Sequence, residues 1–155
     1  MRRKDREIKE ISELLQIIEK CKVFRLALKD NDGLYIVPLS LGYIYDNNQL
    51  TLLFHGAKEG RKSDAIKINN EVAFEMDCDI SPMEGNTACD YGVWYKSIIG
   101  NGKAFEIENS EEKRNALSMI MKHQTGKEFT FDDNMVKGVA VFKIIVNSFS
   151  GKSCK

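Results

Sequence analysis

The chain has 155 residues, and its 23 basic and 23 acidic side chains cancel to a formal charge of zero. That balance argues against a nucleic-acid binder, which needs a basic excess or stripe to displace counterions from phosphates. An apolar fraction of 43% without any long apolar run suits a globular domain with a real core and no membrane span.

The basic start through Arg2, Arg3, Lys4 and Arg6 reads as a solvated tail. The segment that follows, Glu7 to Lys20, is charged rather than apolar, which argues against a secretory signal and for a cytoplasmic protein. Four cysteines (Cys21, Cys78, Cys89, Cys154) show no C-x-x-C pair, so no structural zinc site is expected and reduced thiols are. Cys78 and Cys89 flank one loop and could approach each other. Without repeats or a Pro-rich linker, one domain over residues 1–155 is the economical reading.

In chain order, Ile8, Ile11, Leu14, Leu15 and Ile18 recur at helical spacing and predict an amphipathic helix over 8–20. Strands follow at 23–28, 34–45 and 49–55, joined by turn signals at Asp32-Gly33 and Asp46-Asn47-Asn48. Pro38 inside the second strand requires an edge position or an interruption, because proline donates no ladder hydrogen bond. A helix at 60–68 and a strand at 71–77 come next. A long strand over 93–107 is expected to bulge at Gly100-Asn101-Gly102. A helix with Ser110 as N-cap runs to about His123, which reads as a C-terminal cap partner, and a last strand covers 136–147. Six strands with inserted helices predict an α+β fold whose antiparallel strands close into a small barrel.

The segment from Phe54 to Asp64 carries the chemistry. A strand ends and a helix begins there, with Gly56 and Gly60 between them and Lys58, Arg61 and Lys62 close by. A helix N-terminus favours an anion through free N–H groups and its dipole, and glycines let the backbone come close. Arg61 can chelate phosphate oxygens and Lys62 adds a compact charge, although the spacing is not that of a Walker loop. Locally, a phosphate site and a solvated basic turn weigh about equally.

The wider order of motifs resembles a known family. Arg25 on the first strand precedes Gly33, Val37-Pro38-Leu39 and Tyr43. His55-Gly56-Ala57 and Gly60-Arg61-Lys62 follow, then Val72-Ala73-Phe74-Glu75, Tyr95 to Gly100 with Gly102, and Glu112-Lys113 with Ala116-Leu117. This set, from Arg25 to Lys152, resembles the pyridoxamine 5'-phosphate oxidase-like split barrels, within them the nitroimidazole-resistance branch. The resemblance implies a six-stranded split β-barrel with flanking helices, a homodimer, and FMN at the subunit interface. Val37, Pro38 and Leu39 would lie against the isoalloxazine, and His55, Gly56 and Ala57 along the flavin. Gly60, Arg61 and Lys62 would hold the phosphate. Ser97 and Ile98 would reach the flavin from the long strand, and Arg25 is a further candidate. Gly56 stands where the family often has serine, and Trp94 lies in the strand approaching the flavin; both bear on the substrate.

The implied function is a flavin-dependent oxidoreductase reducing a small electrophile such as a nitro group, with His55 or water supplying the proton. Alternatives are a flavin store or sensor without turnover, or a split barrel holding haem or a deazaflavin, with His55 or His123 as the histidine ligand for a haem.

Overall fold

The computed structural model describes residues 3–154, so Arg2 of the basic cluster lies outside them. After a 3-10 turn come β1 (Glu7–Ile8), α1 (Ile11–Lys20), β2 (Val23–Asp30), β3 (Gly33–Ser40), β4 (Gly42–Asp46) and β5 (Gln49–Gly56). Then follow α2 (Arg61–Ile68), β6 (Glu71–Met83), β7 (Gly92–Glu106), α3 (Ser110–Thr125), α4 (Asp133–Gly138) and β8 (Ala140–Cys154). All strand pairs are antiparallel, in the order β3-β2-β6-β7-β8-β5-β4, with β1 added beside β8. The fold is the expected α+β split barrel, with eight strands rather than six.

The two additional strands have separate causes. The run read as one strand over 34–45 breaks at Leu41, which is wholly buried and whose N–H bonds to the Lys22 carbonyl. Before the break β3 pairs with β2; after it β4 pairs with β5, at the opposite end of the strand order. The two sheet ends are therefore joined by a covalent step without a ladder, which is what splits the barrel. Pro38 sits on the edge strand β3 opposite Arg25, where one side of the backbone has no strand to bond. The second addition is β1: Ile8, expected in the first helix, instead pairs with Gly151 of β8.

Asn47 and Asn48 both adopt left-handed φ (49° and 62°) and close the two-residue β4–β5 turn as expected. The β2–β3 tip falls one residue earlier than expected, at Asn31-Asp32, with Asp30 opposite Gly33. Asn109, not Ser110, caps α3, accepting from the N–H groups of Glu111 and Glu112 at 3.0 Å. Residues 133–138, expected to lead into or begin the last strand, form the short helix α4, because the Asp132 carboxylate caps the Met135 N–H and stabilises a turn there.

The predicted irregularity at Gly100-Asn101-Gly102 is present as a register shift between Asn101 and Gly102 where β7 meets β8. A Cβ on Gly102 would stand 2.3 Å from the Ile145 carbonyl oxygen, a backbone atom that cannot swing away. Gly102→Ala is expected to cost at least about 1–3 kcal/mol through forced displacement of the ladder, read as a lower urea midpoint.

Two apolar clusters occupy the two sides of the sheet. Inside the barrel, Phe24, Leu26, Leu52, Phe54 and Phe142 pack with Ile17 and Ile18 of α1, and the Phe54 and Phe142 rings stack at 5.0 Å. Outside, Leu53 and Val141 are covered by Leu117 and Ile120 of α3 and Val136 of α4. The outer face of β2, β3, β6 and β7 has no such cover, and Leu34, Ile36 and Ile99 lie exposed there. No helix among the described residues is long and apolar enough to cross a membrane.

Candidate functional site

The junction of β5 and α2 is built as the sequence suggests. β5 ends at Gly56, and Gly60 takes φ +122°, a conformation that L side chains rarely adopt, to turn the chain into α2. The buried Ser63 hydroxyl donates to the Ala57 carbonyl at 3.2 Å, fixing the loop against the helix.

From the first turn of α2 the two cations reach in different directions. Arg61 makes a two-point contact with the Asp30 carboxylate (2.6 and 3.2 Å), and its guanidinium lies 4.6 Å over the Tyr35 ring. Asp30 is thereby held below the usual carboxylate range. Lys62 folds over the end of the barrel, its Nζ 5.6 Å from the Phe54 ring centre and 6.0 Å from that of Phe142. A Cβ on Gly56 would stand 2.2 Å from this ammonium, so a side chain there would displace the lysine's flexible end from its place over the aromatic rings. Among the described residues Lys62 has neither an ion pair nor a hydrogen bond, and burial alone lowers its pKa. A half-buried ammonium without a counter-charge is unfavourable unless an anion completes it.

His55 leaves β5 on the opposite face from Phe54 and Gly56 and lines a cavity of about 330 Å³ under α3 and α4. Burial, and secondarily the Lys62 charge, lowers its pKa. The sign follows directly. Below the ordinary imidazole value the unfolded chain takes up a proton that the folded chain resists, so stability is full above about pH 6.5 and falls on acidification. His55→Gln is expected to flatten the stability profile between pH 7.5 and 5, measured by urea unfolding at each pH.

The other expected residues lie elsewhere. Arg25 faces outward from β2 and pairs with Glu75 (3.0 Å) and Asp77. It lines a cavity of about 640 Å³ on the uncovered sheet face with Ile36, Glu75 and Ile99. Ser97 stands opposite Asp77, on the same outer side. Ile98 is wholly buried in the barrel core, so only its backbone can reach a ligand. Of the β3 residues, Pro38 is exposed, Val37 half-buried and Leu39 buried. Of the twelve candidates, Gly56, Ala57, Gly60, Arg61 and Lys62 gather at the barrel end around α2, and Arg25, Pro38 and Ser97 lie on the outer face. Val37, Leu39 and Ile98 pack into the barrel core, and His55 lies under α3 and α4.

Sequence reasoning missed Asp30, Tyr35 and the aromatic floor under Lys62, all of which depend on contacts between residues far apart in the chain. His123, expected as a helix cap partner, is instead buried, with Nε2 2.7 Å from the Cys21 carbonyl oxygen, and α3 is closed by Gly126 in a left-handed conformation. That contact commits one ring nitrogen and leaves His55 as the accessible histidine. All four thiols are free; Cys78 lies against Cys21 rather than Cys89, which is exposed.

The sequence model of the pyridoxamine 5'-phosphate oxidase family matches residues 10–153. The chain belongs to this family. No curated protein matches it in sequence. Among solved structures, a candidate 5-nitroimidazole antibiotic resistance protein from Bacteroides thetaiotaomicron VPI-5482 is 31% identical, with a TM-score of 0.81 over 94% of this chain and 85% of that one. A FAD- and haem-binding protein from Mycobacterium smegmatis superposes at TM-score 0.83 with 13% identity, over 97% and 74% of the two chains. A FAD-binding protein from Mesorhizobium loti gives 0.66 with 21% identity, over 95% and 96%. At such identities the last two support the fold alone. The family expected from the ordered motifs is thus the family that the chain matches over nearly its whole length.

Proposed function

We propose that the protein is a homodimeric flavin-binding split barrel that holds FMN and uses it to reduce a small electrophile, a nitro compound being the type case. The observation that carries this reading is Lys62: a half-buried cation without a partner, beside the Gly60-started N-terminus of α2. A phosphate monoester is the anion that such a helix end and ammonium suit.

In this reading Lys62 and the α2 N-terminus bind the phosphate, while Arg61 beside them is held by Asp30. Val37, Pro38 and Leu39 offer the edge backbone of β3 to the ring, and Gly56 and Ala57 flank the flavin. Arg25, Ser97 and the Ile98 backbone contribute from the outer sheet face. When bound, the isoalloxazine supplies two-electron reduction, and the protein supplies position and protons. His55 lies on the opposite face of β5, where burial and the Lys62 charge disfavour its protonated form.

The test is the absorption spectrum of freshly purified protein, followed by mass spectrometry of the released ligand. A yellow protein yielding FMN supports the proposal; FAD would correct the cofactor; a colourless protein that also fails to bind FMN in a calorimeter overturns it. A carrier without turnover gives the same spectrum and is separated by reoxidation: the enzyme reading fails if nitro compounds reoxidise the reduced protein no faster than they reoxidise free FMN.

A further inference from the structure

Two successive residues pin the end of α1 to β6. Lys20 Nζ donates to both oxygens of the Asp79 carboxylate, at 3.1 and 2.9 Å. The residue after Lys20, Cys21, meets the residue before Asp79, Cys78, which packs against the core cluster that holds Cys21. Along β6, Cys78 follows Val72, Phe74 and Met76 onto the inner face, so its sulfur is directed to Cys21 and not to the exposed Cys89. Just beyond Cys78 the ladder with β7 slips, so that Asp79 and Ile80 stand against Tyr95 alone, and Asp79 takes a left-handed φ of 55°. This is a β-bulge, and Lys20 and Lys96 both hold its aspartate, Lys96 at 3.7 Å.

We propose that Cys21 and Cys78 are a reversible dithiol–disulfide pair, closed by a low-molecular-weight disulfide, that ties α1 to β6. The two thiols differ in access: Cys21 is 2% exposed, whereas Cys78 is half-buried and can be reached from solvent. Burial pushes the Cys21 thiol up to about 12. Burial and then Asp79 raise that of Cys78, while the Cys21 thiol, Lys20 and Lys96 pull it back. Cys78 therefore attacks first. It gives its proton to solvent, and its sulfur displaces one half of the small disulfide as a thiolate. Cys21 then gives up its proton and attacks the Cys78 sulfur, expelling the second half. The two thiolates released take up the two protons, so the protein pair loses two electrons and one small disulfide becomes two thiols. The sulfurs are already neighbours, and the Lys20–Asp79 pair holds the chain on either side of them, so closure requires no unfolding of α1. The pair stands apart from the flavin reading and needs no flavin to close.

The experiment incubates the full-length, reduced protein with oxidised glutathione, alkylates the remaining thiols in urea and maps the peptides by mass spectrometry. The expected result is a linked pair of peptides holding Cys21 and Cys78, with Cys154 alkylated and the link removed by dithiothreitol. Closing the loop from residue 21 to 78 restricts the unfolded chain, so the unfolding constant should fall at least about thirtyfold, read from the urea midpoint. Cys89→Ser should keep the link and the gain, and Cys78→Ser should lose both; Cys78→Ala serves if that variant fails to fold. The proposal is overturned by Cys78 joined to Cys89, or by a glutathione adduct on Cys89 while Cys21 and Cys78 remain alkylated. A link that forms only in urea, or one that leaves the urea midpoint where it was, overturns it equally.

Discussion

Lys62→Ala is expected to lower FMN affinity about ten- to a hundredfold, the worth of a charge-assisted hydrogen bond of roughly 1.5–3 kcal/mol. It should do so without loss of stability in the flavin-free protein. The pairing of outcomes is what makes the test specific. A lysine in a structural ion pair destabilises the fold when removed, because its partner is left uncompensated. Lys62 has no partner to abandon; it has only an apolar floor of Phe54 and Phe142 and a desolvated charge. Removing it relieves that charge, so the urea midpoint of the flavin-free variant should stay level or rise. Arg61→Ala is a poorer probe, because it also strips the nearly buried Asp30 carboxylate of its partner. Flavin fluorescence quenching measures the affinity, and repetition at higher salt should compress the gap between wild type and variant. Unchanged affinity in Lys62→Ala removes the main support for the phosphate assignment.

The contrast between Arg61 and Lys62 also marks how far the sequence could be read. Adjacent cations after a glycine at a helix start are legible, because their effect on an anion is local. That one is spoken for and the other is free depends on Asp30, 31 residues upstream, which local spacing does not reveal. The fold divides along the same line. Asn47-Asn48 announces its turn because the side chains tolerate the left-handed backbone. The bulge at Gly102 is announced by glycines where a Cβ would strike backbone. Leu41 announces nothing: apolar alternation runs straight through it, and the break exists because β3 and β4 have different partners. Likewise Ile8 fits the helical period of α1 but gains a β8 ladder instead. The cavity beneath α3 and α4 is not legible in the sequence because α4, which helps to cover it, falls where a strand and its approach are expected.

The double variant Ile36→Glu/Ile99→Glu is expected to convert the proposed dimer to a monomer and to strip it of flavin. One outer face of the barrel is closed by α3 and α4, while the other presents Leu34 at 84% exposure, Ile36 at 66% and Ile99 at 51%. Such a cluster of apolar side chains on a sheet face, rimmed by the Arg25–Glu75–Asp77 ion pairs, has the composition of an interface with a polar surround. Arg25, Pro38 and Ser97 of the expected site residues lie on this face, and the homodimer proposed above would seat its second copy here. Each isoleucine buried is worth roughly 1.5–3 kcal/mol, and twofold symmetry counts every substitution twice, so dissociation should strengthen by more than about a thousandfold. Both side chains face solvent within one chain, so the monomer should keep its fold, with stability within about 0.5 kcal/mol. Sedimentation gives the mass and the visible spectrum gives the flavin. A wild-type protein that sediments as a monomer sinks the dimer. A monomeric variant that keeps one flavin per chain places the whole cofactor site within a single subunit and leaves Arg25 and Ser97 outside it.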